Sequence, residues 1–133
     1  MPAGNNHLVS PQEWLARAQS NFKLAQTDKT DDIFWEDLCF NLQQAVEKAI
    51  KSVLLFKGVD FPFVHDIARL ITLIKENGIT WPEELDEAAE LSEYAVETRY
   101  PGFFEEVSEV EYLKALEITQ KVLIWAEKFV TIK

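Results

Sequence analysis

The stretch that decides the fold is Ile33–Lys57, IFWEDLCFNLQQAVEKAIKSVLLFK, the longest helical pattern in the chain. At about 100° per residue its apolar side chains fall within one arc of about 140°. Asp31 or Asp32 is the predicted N-cap and Gly58 the predicted C-terminal stop. The arc therefore predicts a long helix with one face in a core. Its members are Trp35, Leu38, Cys39, Leu42, Ala45, Val46, Ala49, Ile50 and Val53.

Four further helices surround this one in sequence. Capping-box patterns open the first helix at Ser10 and the last at Ser108. A third helix is predicted over about 64–77, a fourth from about Thr80 to just before Pro101, and the last to about Val130. No stretch alternates like a strand. These elements predict an all-α fold, an antiparallel up-and-down bundle of four to five helices, with one domain over 10–133 and a flexible N-terminus over 1–9.

Two apolar stripes run along the predicted last helix, one through Leu113, Leu116, Leu123 and Val130, the other through Ile118, Val122, Trp125 and Phe129. Two stripes indicate contact with two neighbouring helices or with a partner chain.

Composition indicates a protein of the cytoplasm. The single cysteine, Cys39, cannot form an internal disulfide, and we interpret it as an inert small core residue. The N-terminus has no signal-peptide pattern, and no apolar run is long enough to cross a membrane. The chain has 133 residues and a net charge of −10, and the segment 83–111 holds eleven acids and one base. Because nucleic-acid coating needs a basic surface, no DNA partner is expected. The lack of an apolar run of membrane length likewise predicts no membrane partner.

The polar face of the long helix is the first candidate site. With Gln43 at 0°, Glu47, Lys51, Gln44 and Lys48 fall between about 40° and about 140°. The simplest interpretation is a solvated face with weak i,i+4 contacts. Alternatively, these side chains form a binding surface. Leu54 and Leu55 point toward the same side and hint at an exposed interface.

Three other residues could carry chemistry. His65 next to Asp66, at the predicted start of the third helix, could serve as a base or ligand, or as a capping residue. Arg99 could present a guanidinium to a phosphate, or could simply complement a helix C-terminus. There is no phosphate loop, nucleophile motif or histidine cluster, so no cofactor and no metal are expected.

Three motifs together resemble the HEPN domain family (higher eukaryote and prokaryote nucleotide-binding). They are QQAVEKAIK over Gln43–Lys51, HDI over His65–Ile67 after Phe61-Pro62, and TRYP over Thr98–Pro101. The resemblance covers nearly the whole chain. It implies a helical bundle, a homodimer, and a small nucleotidyltransferase as partner, for which the bundle would recognise the nucleotide or substrate.

The resemblance also implies a candidate ligand site and a rival function. Some family members cleave RNA without metal, using an Arg followed four to six residues later by His. No His follows Arg99 in that window, which disfavours an RNase. A dimerisation bundle without a ligand is the third hypothesis. The ligand-binding residues implied are Gln43, Gln44, Glu47, Lys48, Lys51, His65, Asp66 and Arg99.

Overall fold

The architecture is a bundle of helices that pack around one central helix. The computed structural model describes residues 9–95 and 106–131. Within these ranges the chain forms helices and no strand, which confirms the predicted all-α fold. The elements are α1 (Pro11–Leu24), α2 (Trp35–Phe56), α3 (Ile67–Glu76), a 3-10 helix (Glu83–Ala95) and α4 (Glu109–Glu127).

The predicted capping residues hold the first and last helices. The Ser10 hydroxyl accepts from the Glu13 N–H at 3.0 Å, and the Ser108 hydroxyl from the Glu111 N–H at 3.1 Å. Gly58 and Gly78 follow α2 and α3 with φ angles of 74° and 69°. Glycine adopts this left-handed conformation without strain, so the helices end where the sequence predicts.

Two predicted helix starts were wrong. Phe34, not Asp31 or Asp32, occupies the N-cap of α2 and makes no side-chain capping bond. Asp32 instead accepts from the Thr30 hydroxyl at 3.0 Å, which keeps its carboxylate in the preceding turn. The third helix begins at Ile67, later than predicted, because Asp66 caps it.

The predicted fourth helix is a 3-10 helix that begins at Glu83. The predicted end of this helix at Pro101 lies outside the described residues, as does nearly all of the predicted flexible N-terminus.

α2 is the centre of the core. Eight members of its predicted apolar arc are buried, and Trp35 is partly buried. The prediction that Leu54 is exposed was wrong: its side chain is fully buried, and Leu55 is half-buried. Side chains on both sides of α2 are therefore covered, which is why one helix can organise all the others.

Most residues of the two apolar stripes of α4 are buried against other elements of the same chain. Ile118, Val122 and Trp125 are buried, as is Leu123, whereas Leu113 is exposed. The Tyr112 hydroxyl donates to the Ala25 carbonyl at 2.8 Å, and Gln19 donates to Glu127 at 2.6 Å. These contacts set α4 antiparallel to α1. None of the described helices has the length and apolarity to span a bilayer.

Candidate functional site

The polar row of α2, Gln43, Glu47 and Lys51, is buried within the protein. Its three side chains are exposed by 0%, 4% and 4%. The interpretation of this face as solvated surface was therefore wrong. Burial of charged and amide groups is tolerable only if they satisfy each other by hydrogen bonds and opposite charge. Each of the three side chains therefore needs hydrogen-bonding or charged partners inside the protein.

Aromatic rings cover the C-terminal end of the row. The Lys51 ammonium lies 5.7 Å from the Trp14 ring centre on α1 and 5.5 Å from the Phe61 ring centre in the loop before α3. Those two rings meet edge to face at 6.3 Å. The faces of aromatic rings attract cations, so this cage compensates part of the lost hydration of Lys51. α1 and the loop are thereby fixed against α2.

Glu47 is the hub of the row. Its Oε2 accepts from Lys51 Nζ at 2.7 Å, and its Oε1 from Gln43 Nε2 at 3.0 Å and His65 Nδ1 at 2.9 Å. Burial alone would raise the pKa of Glu47, but the Lys51 charge and the hydrogen bonds from Lys51, His65 and Gln43 outweigh it and hold that pKa below its usual value. Glu47 is therefore an ionised acceptor at neutral pH.

His65 is the only member of this cluster with a largely exposed side chain, at 70%. Its carbonyl accepts from Gln43 Nε2 at 3.3 Å and from the Ser92 hydroxyl of the 3-10 helix at 3.5 Å. Because ionised Glu47 can only accept, Nδ1 must carry the proton in this contact. Among the described residues Nε2 has no hydrogen bond, and the Nδ1 contact with Glu47 orients the ring.

Gln44 and Lys48 lie at the margins of the row. Gln44 Nε2 donates to Gln43 Oε1 at 2.7 Å, which extends the network toward solvent. Lys48 Nζ donates to Asn21 Oδ1 of α1 at 2.8 Å. Burial lowers the pKa of Lys48, the Glu47 charge opposes this, and Arg17 and Lys51 add to it. Lys48 is thus held between α1 and α2.

Asp66 has a separate role from this cluster. Asp66 accepts from the Ala68 N–H at 3.0 Å and so caps α3, whereas the sequence had suggested His65 as the capping residue. Arg99 lies outside the described residues. In the part of the chain that the structure describes, no group of three His, Cys, Asp or Glu side chains could hold a metal ion.

Five of the eight predicted residues therefore form one hydrogen-bonded cluster: Gln43, Gln44, Glu47, Lys51 and His65. Its chemistry is that of an imidazole oriented by a buried carboxylate, which can bind an anion or transfer a proton at Nε2.

Sequence reasoning missed Trp14, Phe61 and Ser92 as parts of this site. The sequence contained one signal of this burial. At about 100° per residue, Leu54 lies within about 20° of Gln43 on the helical wheel. An apolar residue on the same side of the helix as the polar row indicates that other elements pack over that side.

The comparisons with known proteins agree with this fold. The family model described as the HEPN domain matches residues 11–129. The chain belongs to the HEPN family. This confirms the family predicted from the three motifs. A comparison with curated protein sequences gave no match.

Two solved structures are similar to this HEPN chain. The crystal structure of TT1696 from Thermus thermophilus matches with a TM-score of 0.76 and 31% identity, covering 90% of this chain and 98% of the other. The crystal structure of ST0689, an archaeal HEPN homologue, matches with a TM-score of 0.70 and 23% identity, covering 90% and 96%. The match to ST0689, at 23% identity, supports only the shared fold.

The buried pair predicts a stability effect. Removing one partner of a buried ion pair costs about 3–5 kcal/mol, whereas an exposed pair contributes at most about 1 kcal/mol. We therefore expect Lys51→Met to lower the free energy of unfolding by about 3 kcal/mol in urea titrations followed by tryptophan fluorescence. Glu47→Leu/Lys51→Met should recover part of this loss, because neither charge is left alone.

The matched control is Arg17→Met, which breaks the exposed Arg17–Glu13 pair. A loss for Lys51→Met no larger than for Arg17→Met would contradict the account.

The lowered pKa of Glu47 predicts a pH dependence. A carboxyl group whose pKa is lower in the folded state stabilises the fold above its unfolded pKa, about 4.3, and loses that contribution as pH falls through the folded value. The stability difference between the native chain and Glu47→Gln should therefore be largest near neutral pH and shrink below about pH 4.5. Urea titrations between about pH 3 and 7 measure this. A difference that stays constant across that range would show that Glu47 is not held ionised by its partners.

Proposed function

We propose that this HEPN protein is a non-catalytic binding module that recognises a nucleotide and acts as the partner of a nucleotidyltransferase. The observation that carries the proposal is the exposed His65 imidazole held by buried Glu47. A protonated imidazole donates to phosphate oxygens, and a fixed ring does so at a lower entropic cost than a mobile one.

The ligand contacts in this proposal fall to the accessible residues. His65 binds a phosphate through Nε2, and the half-buried Gln44 amide is near enough to the surface to reach a sugar or base edge. Arg99 is proposed as a second phosphate ligand, from the family resemblance. Gln43, Glu47 and Lys51 act as positioning residues, because their polar atoms are already engaged inside the protein.

A homodimer and a nucleotidyltransferase partner are part of the proposal. The predicted Leu54–Leu55 interface is not part of the proposal, because Leu54 is buried. Phe56 and Phe63, at the end of α2 and in the next loop, are exposed and available for a contact between two copies. A small nucleotidyltransferase encoded by the neighbouring reading frame, and co-purifying with this chain, would support the partnership.

Calorimetric titration with ATP tests the ligand. A hydrogen bond to a charged group contributes about 1.5–3 kcal/mol, so His65→Ala should weaken binding at least ~10-fold. Arg99→Ala should weaken it similarly. The matched control is His7→Ala, which removes the other histidine of the chain.

Absence of saturable binding, or binding unaffected by His65→Ala, would contradict the proposed ligand site and favour a dimerisation bundle without a ligand.

An RNase is the second candidate function. The observation in its favour is the same histidine–carboxylate pair, because an oriented imidazole is a common general acid or base. The missing histidine after Arg99 and the acidic surface count against it. The variants above, incubated with RNA, separate the two: RNA cleavage abolished by Arg99→Ala would replace the binding proposal with the nuclease.

A further inference from the structure

The polar row of α2 is covered at one end and accessible at the other. At its C-terminal end, Lys51 lies against the Trp14 and Phe61 rings and is only 4% exposed. About one turn before its N-terminal end lies Phe40, which is 42% exposed. A ligand of this site can therefore approach from the N-terminal end, where it meets an aromatic ring.

Phe40 lies on the same face of α2 as the polar row. At about 100° per residue, and with Gln43 at 0°, it falls at about 60°, between Glu47 at about 40° and Gln44 at about 100°. Gln44 follows Phe40 by four residues, and residues at this spacing are neighbours on a helix surface. The Phe40 ring and the half-buried Gln44 side chain therefore belong to one continuous surface.

Two other elements flank this surface. On one side is α1, whose Asn21 accepts from Lys48 at 2.8 Å. On the other side is the loop before α3, whose His65 bonds Glu47 at 2.9 Å. Lys48 falls at about 140° on the helical wheel and Glu47 at about 40°, so Phe40 lies in the sector between the two flanking elements. This position explains why the ring remains exposed although it is close to the site.

Charged groups give the surface a direction. The half-buried Lys48 lies about two turns after Phe40, on the same side of it as the exposed His65 imidazole. The acids Glu36 and Asp37 lie before Phe40, in the first turn of α2. An anionic group is therefore attracted toward Lys48 and His65 and repelled from the opposite end.

We propose that the Phe40 ring is a stacking platform for the base of the nucleotide, whose phosphates are directed toward His65 and Lys48. The inference deepens the proposed function and rests on it. Every nucleobase has a π-face that stacks on an aromatic ring, and the Gln44 amide can both donate to and accept from the edge of a base. A free polyphosphate would leave Phe40 unused, and a free nucleoside would leave both cations unused. The arrangement therefore selects a whole nucleotide.

Calorimetric titrations with ATP and with tripolyphosphate, which has no base, test the platform. Phe40→Leu keeps an apolar side chain but removes the ring. Because stacking on an aromatic ring contributes to the binding of each base, this variant should bind ATP at least ~5-fold more weakly. Its affinity for tripolyphosphate should change less than ~2-fold, whereas His65→Ala should weaken the binding of both ligands.

A tryptophan at the same position reports stacking directly. Phe40→Trp keeps an aromatic face, so this variant should bind ATP at least as tightly as the native chain. ATP should quench the fluorescence of the added indole, and tripolyphosphate should not. The native chain, which has four tryptophans, supplies the background signal.

The matched control is Phe34→Leu, which makes the same change at another exposed phenylalanine, the N-cap of α2. It should change the ATP affinity less than ~2-fold. Both phenylalanines are exposed, so the variants should fold, which circular dichroism verifies.

Three results would overturn the inference and leave the proposed function standing. They are ATP binding that depends on His65 but not on Phe40, equal losses of ATP affinity in Phe40→Leu and Phe34→Leu, and a loss in Phe40→Leu that is as large for tripolyphosphate as for ATP. Absence of ATP binding to the native chain would contradict both the inference and the proposed function.

Discussion

The buried carboxylate of Glu47 is the constraint on which the rest of the structure depends. A charge in this position is stable only if it is fully paired, and its partners come from different parts of the chain. Gln43 and Lys51 lie one turn away on α2, while His65 comes from the loop before α3. The Lys51 cation in turn requires the Trp14 and Phe61 rings over it. α1, α2 and the loop are thus held together by polar as well as apolar contacts.

Much of the fold could be predicted from the sequence because it is encoded locally. The apolar arc of α2, the capping serines Ser10 and Ser108, and the glycine after α2 act within a few residues of where they stand. The burial of the polar row could not be predicted in this way. A helical wheel places Gln43, Glu47 and Lys51 on one face, but what covers that face lies on other elements. Trp14 is 37 positions before Lys51 and reaches it only through the α1–α2 packing. The N-cap prediction for α2 failed for a different, local reason: the Asp32 carboxylate accepts a hydrogen bond from the Thr30 hydroxyl two residues earlier.

For the candidate site, the three motifs identified the family and most of the clustered residues, but not their roles. Residues that looked like a binding surface are mainly the support of a single exposed imidazole. This division is physically reasonable, because a side chain offered to a ligand is held more precisely when a satisfied network fixes its orientation.

The central claim is that Glu47 orients His65, and the tautomer of that ring tests it most directly. The chain has only two histidines, so long-range proton–nitrogen NMR correlations can be assigned with His65→Ala. With the neutral ring, the account predicts that His65 carries its proton on Nδ1, since that nitrogen faces the ionised carboxylate. Glu47→Gln should alter this preference and leave His7 unchanged. A His65 ring with its proton on Nε2, unaffected by Glu47→Gln, would contradict the account.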